Sequence, residues 1–190
     1  MRLVLASASP RRLELLARIG VVPDAVIAAE IDESIPTAEL PRDHALRLAR
    51  EKACAVAASE PDALVLAADT VVAVGRRILP KVEDEATLRQ CMALLSGRRH
   101  RVLTGVALAI PGGALRTRLI ETMIAMKRLS ADEVDFYAAH GEWRGKAGGY
   151  ALQGYGEVYV RHIAGSYSNV VGLPLAETRI LLKAAGYALG

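Results

Sequence analysis

Apolar residues along the chain follow two rhythms. Leu3 to Leu5 and the longer "ALVLAADTVVAVG" (63–75) are nearly continuous apolar runs, the mark of strands buried on both faces. Residues 10–19 and 41–58 instead repeat at helical spacing, the second with a stripe of Ala45, Leu46, Leu48, Ala49 and Ala53. The pattern predicts strands over 2–6, 24–29 and 63–75, and helices over 10–19, 41–58 and 83–95. Gly20 ends the first helix and Ser96-Gly97 the third. Two adjacent strands follow, "RVLTGVALAI" and "LRTRLIETMIAMKRL", parted by a Pro-Gly-Gly turn. Ser130 and Glu133 form a capping box that opens a fourth helix. A glycine-rich segment (140–156), a strand through Val160 and a last helix from about Pro174 complete the chain. Alternating elements predict an α/β fold, and the neighbouring strands after residue 100 make its sheet mixed.

Composition narrows the class. At 190 residues the chain is expected to form one domain spanning 1–190, or two small lobes on a shared core. Hydrophobic residues are 52% but aromatics only 4%, so Leu, Val, Ile and Ala must fill the interior. A net charge of +3 is too small to argue for nucleic acid, and the basic "GRRHR" (97–101) lacks interleaved aromatics. Cys54 and Cys91 belong to no CxxC pair, which points to a reduced thiol environment without zinc. No stretch resembles a signal peptide or a membrane span, so a cytoplasmic location is expected.

Several places carry candidate chemistry. In "LASASPRR" (5–12), Ser9 occupies an N-cap position and Pro10 the first helical one. A helix start with unpaired N–H groups, beside Ser7 and the guanidiniums of Arg11 and Arg12, suits a phosphate. A well-capped surface helix with two solvated arginines has the same residues. Asp69 interrupts a buried strand, where a carboxylate must be paired, metal-bound or at the mouth of a cleft. Glu30, Asp32 and Glu33 follow the second strand and offer hard oxygen donors, although a solvated loop reads alike. Lys52 falls on a helix and Lys81 in a loop between strand and helix. The glycines of "GKAGGYALQG" (145–154) suit backbone N–H groups approaching a ligand, with Gln153 able to read an amide or base edge. Neither GxGxxG nor a P-loop is present. The four histidines have no metal spacing.

Taken in order, "LASASPRRLELL", "IDES", "RLAREKA", "AADTVV", "LPK", "LLSGRRHRVLTGVAL", "GEWRGKAGGYALQGYGEVYV" and "GSYSNVVGLPL" resemble the Maf family of nucleoside triphosphate pyrophosphatases. The resemblance runs from residue 3 to about 182. One departure is at Pro80-Lys81-Val82, where the family has lysine followed by proline. It implies a long mixed sheet, two lobes and a central cleft, like the inosine triphosphate pyrophosphatases. It also implies hydrolysis of a nucleoside triphosphate to the monophosphate and pyrophosphate with Mg²⁺ or Mn²⁺, in a homodimer. On this resemblance Asp69 is the proton acceptor, with Arg12, Glu33, Lys52 and Lys81 as charged pocket residues. Arg11, Thr70 and Gln153 stand where subfamilies differ and match the dTTP/UTP branch. The 7-methyl-GTP branch has tryptophan, glutamine and glutamate there. Ser7 and Ser9 are then expected to hold the triphosphate, and Asp69 with Glu33 the metal. Asp69 would orient and deprotonate a metal-associated water. The alternative is a non-catalytic nucleotide- or nucleic-acid-binding regulator of cell division.

Overall fold

In the computed structural model, which describes residues 1–189, the first apolar run forms β1 (Leu3–Ala6), with all four residues buried. Helix α1 (Pro10–Arg18) follows at once. After β2 (Ala25–Ile27), an irregular stretch leads to α2 (Pro41–Ala57). The long run becomes β3 (Leu64–Val74), which turns at Gly75 into β4 (Arg77–Leu79). Next come β5 (Lys81–Val82) and α3 (Glu85–Leu95), whose N-cap Asp84 accepts from Thr87 N–H at 2.7 Å. The predicted strand pair is present as β6 (Arg99–Ile110) and β7 (Ala114–Met126). Helix α4 (Ala131–His140) has both hydrogen bonds of the capping box and ends at left-handed Gly141. The C-terminal part contains β8 (Lys146–Ala147), β9 (Val160–Ala164), α5 (Tyr167–Val171) and α6 (Leu175–Ala184).

The main sheet has the order β2-β1-β3-β6-β7-β9, with β4 also paired to β3. β1 lies parallel to β2 and β3, and the other pairs are antiparallel. Along one edge, β3 pairs with β6 from Val65 to Ala73 without a break. Along the other edge it pairs with β1 over Leu64–Ala67 and with β4 over Val72–Val74. Ala68 to Val71 therefore have no strand beside them on that side. The sheet forks there, and Asp69 and Thr70 sit in the fork.

Alternation along β3 sends its side chains to different layers. Val65 and Ala67 pack against Ala49 and Ala53 of α2, and Val71 and Ala73 against Ala45. On the opposite face Leu64, Leu66 and Ala68 meet Leu15 and Leu16 of α1 and Leu181 and Leu182 of α6. Val72, beyond the fork, joins a second core with Leu88, Met92, Trp143 and Tyr150. The small residues of α2 allow a close approach to the sheet. At Gly105 of β6, opposite Asp69, an added Cβ would lie 2.3 Å from the Ala45 carbonyl oxygen.

Several expectations need correction. Lys81 is in a strand rather than a loop, because β5 pairs with β8. The segment before Val160 is a 3₁₀ helix (Tyr155–Tyr159), and the strand begins at Val160 instead of ending there. Three N–H groups of the glycine-rich segment are already used internally. Gly145, Gly148 and Gly149 donate to the carbonyls of Val82, Pro80 and Lys146. Among the described residues no helix is long and apolar enough to cross a membrane.

Candidate active site

The start of α1 stands at the fork because β1 ends there and the chain turns within three residues. Ser9 has extended N-cap geometry, but its hydroxyl caps nothing; the expected side-chain cap is absent, and its own N–H donates to Ser7 Oγ at 3.1 Å. Arg12 reaches back across the fork. Its Nε donates to the Gly172 carbonyl at 2.8 Å, Nη1 to Ser7 Oγ at 3.2 Å and Nη2 to Thr70 Oγ1 at 3.4 Å. Burial lowers its pKa, with Asp69 and Glu33 opposing that shift and Arg11 adding to it, yet a guanidinium remains charged in a protein. Thr70 is itself held by Thr104 at 3.0 Å, and Thr104 donates to the Asn169 carbonyl. Buried Asn169 binds the Val102 carbonyl and Thr122 Oγ1, fastening α5 behind the site.

On the α2 side of the fork, four charged groups form a chain. Lys52 Nζ lies 2.7 Å from Asp69 Oδ1 and 2.6 Å from Glu33 Oε1. Glu33 Oε2 lies 2.6 Å from Lys81 Nζ. Asp69 and Lys52 are buried and so satisfy each other, as a carboxylate and an ammonium in a core must. Burial is the largest single influence on Glu33 and works to raise its pKa. The hydrogen bonds and charges of Lys52 and Lys81 together outweigh it and bring the pKa down to about 2. Glu33 is thus ionised at every physiological pH. Its neighbour Asp32 turns away to bind Ser34.

These residues line one cavity of about 340 Å³, which takes in Ser7, Ser9, Arg11, Arg12, Glu33, Lys52, Asp69, Thr70, Lys81 and Gln153. Two rim groups escaped sequence reasoning. Lys146 reaches the cleft from β8, its pKa lowered by burial and by Arg11 against the pull of Glu142. Tyr150 lines the wall, and its hydroxyl shares a 2.7 Å hydrogen bond with buried His100 Nε2. Burial brings His100 down to about 4, so the ring is neutral at pH 7. Five cationic side chains against two carboxylates make the cleft a receptor for a multiply charged anion. Among the described residues no three His, Cys, Asp or Glu side chains gather as a metal cage.

A family model described as Maf-like protein matches residues 2–185. The chain belongs to the Maf family. This Maf chain is 64% identical over 184 residues to a dTTP/UTP pyrophosphatase of Novosphingobium aromaticivorans, covering 97% of this chain and 92% of that protein. It is 62% identical to a dTTP/UTP pyrophosphatase of Caulobacter vibrioides, covering 97% and 96%. Among solved structures, a HAM1 protein from Coxiella burnetii aligns with a TM-score of 0.50 at 16% identity, over 97% of this chain and 99% of that one. That likeness concerns the fold. Read by itself, a lone lysine in a glycine-rich segment gave no signal for Lys146, and nothing in the residues around Gly172 marks the carbonyl that aims Arg12. For a Maf chain, the motifs "GKAGGY" and "GLPL" already enclosed both positions.

Proposed function

We propose that this protein hydrolyses dTTP and UTP to the nucleoside monophosphate and pyrophosphate. The observation that carries the reading is the fork in β3, which gathers Asp69, Lys52, Glu33 and Lys81 opposite the α1 start and Arg12 in one cationic cleft. The names of the relatives, with identities of 62–64%, support turnover over a non-catalytic regulator.

Each residue has a part that its surroundings support. Arg12 has its direction fixed by Gly172, Ser7 and Thr70, so it neutralises phosphate oxygens with little reorganisation. Lys81 is exposed and joined to the site through Glu33, and swings readily to the β and γ phosphates. Lys52 stays between Asp69 and Glu33, opposing the negative charge that develops on the oxygens around the α-phosphorus. Asp69 accepts the proton of the attacking water. Ser7 and Ser9 add polar contacts, and Arg11, Thr70 and Gln153 face the base.

The donor set fits a divalent cation. Glu33 and Asp69 present hard carboxylate oxygens that share one ammonium, and Mg²⁺ characteristically takes one or two carboxylates and completes its shell with phosphates and water. When bound, Mg²⁺ or Mn²⁺ would neutralise phosphate charge and make water more acidic. Glu33 and Asp69 are the residues that would hold it. The free thiols of Cys54 and Cys91 support a reducing, cytoplasmic setting, and the same proposal includes a homodimer. The test is a pyrophosphate-release assay over UTP, dTTP, CTP, ATP and GTP with Mg²⁺ and with Mn²⁺. Turnover led by UTP and dTTP is expected. Release from none of the five, or a purine preference, would overturn the reading.

A further inference from the structure

Glu142 lies outside the residues that line the cleft, between α4 and β8, yet it holds the loop that bears Gln153. Its Oε1 accepts from Gly156 N–H at 2.7 Å and its Oε2 from Tyr155 N–H at 2.9 Å. Its backbone carbonyl accepts from Lys146 Nζ at the cleft rim. At the other end of the loop, Ala151 N–H donates to the buried Tyr137 hydroxyl at 3.3 Å. Burial first, and then the charge and hydrogen bond of Glu142, push the Tyr137 phenol up, so the hydroxyl keeps its proton. Gly154 completes the arrangement. Its backbone is extended (φ −128°, ψ −154°), a conformation open to any residue. A Cβ there would nonetheless stand 2.4 Å from Glu142 Oε2. A Cβ here would push the carboxylate aside, so glycine leaves Glu142 room to reach both N–H groups.

Gln153 lies between these anchors, exposed on the cleft rim. A glutamine amide presents a donor group (NH₂) on one side and an acceptor (C=O) on the other, and it distinguishes uracil from cytosine only if it is held in place, since a free amide turns over to suit either. A shift of about 1 Å in its Cα is enough to misalign both hydrogen bonds. We infer that Glu142 is a positioning residue for base discrimination, acting through the main chain on either side of Gln153. This rests on the reading of Gln153 as the group that faces the base.

Two substitutions attack the same contact from opposite sides. Glu142→Gln keeps the size but presents an NH₂ group to one of the two N–H donors. Gly154→Ala keeps the carboxylate but displaces it, and it serves where the first variant fails to fold. The measurements are kcat/KM for UTP and CTP, and inhibition of UTP hydrolysis by inorganic triphosphate. Wild type, both variants, Gln153→Ala and the double variant Glu142→Gln/Gln153→Ala are compared. Each single variant at 142 or 154 is expected to lower the UTP-to-CTP ratio by about tenfold, the scale of one charge-assisted hydrogen bond. Inhibition by inorganic triphosphate should not change, and the double variant should discriminate no worse than Gln153→Ala alone. If Gln153→Ala lowers the ratio while Glu142→Gln and Gly154→Ala leave it intact, the positioning role is overturned and the role of Gln153 stands. A ratio indifferent to Gln153→Ala overturns both. Further loss in the double variant, or an equal fall for both nucleotides, would make Glu142 a support of the fold only.

Discussion

The Arg12 guanidinium is aimed by groups of the chain itself. Three hydrogen bonds, to Gly172, Ser7 and Thr70, come from three separate parts of the chain. Such a group recognises phosphate charge and is blind to the base. Arg12→Ala should therefore raise KM for UTP, dTTP and GTP alike, by about 10- to 100-fold, the scale of a charge-assisted hydrogen bond or two. Arg12→Lys should recover little, because an ammonium cannot reproduce a fork held at Nε and both Nη atoms. Steady-state kinetics on the three nucleotides read the effect, and a loss confined to UTP and dTTP would exchange the roles assigned to Arg11 and Arg12. Two adjacent arginines after Ser9-Pro10 are legible as an anion site. Which of them is tied across the fork is not legible from these residues alone, because the Gly172 carbonyl that holds Arg12 lies 160 residues away.

Helix α2 brings Lys52 to Asp69 only because it lies nearly on the sheet. Gly105 sets that distance, with the Ala45 carbonyl in the space a side chain would need. Backbone cannot move aside as a flexible side chain does, so Gly105→Ala should destabilise the protein by about 1–3 kcal/mol or more through overpacking. Turnover should fall with it as Lys52 is lifted from the fork. Denaturant unfolding measures the first and pyrophosphate release the second, and a variant of unchanged midpoint would refute the close packing. The long elements could be read from sequence because their signals are local. The apolar stripe marked α2, and Ser130 with Glu133 marked the start of α4. The short elements could not. β5 and β8 have two residues each and exist only by pairing with one another across 64 positions. The 3₁₀ helix after Gly154 depends on the Glu142 carboxylate gripping Tyr155 and Gly156, a contact that no periodicity encodes.

At the scale of the whole molecule, one gap in strand pairing organises the chemistry. β1 leaves the edge of β3 after Ala67, and β4 joins it at Val72. The carboxylate at Asp69 is thereby admitted to a sheet that is apolar on both sides. Sequence alone could mark Asp69 as an anomaly within a buried run, and resemblance could attach a role to it. Neither could supply the fork, since the strands that border it come from residues 3–6 and 77–79. Cations from α1, α2, β5 and β8 surround that opening, so in the proposed reaction the binding charge and the proton acceptor are separate groups. Asp69→Asn distinguishes the two, because the amide keeps the shape while losing the base and its charge. The decisive measurement pairs single-turnover pyrophosphate release with direct titration of UTP binding in this variant. Release should fall by about 10²- to 10⁴-fold, the usual contribution of a general base, with UTP affinity retained. Near-normal release from Asp69→Asn would contradict the account.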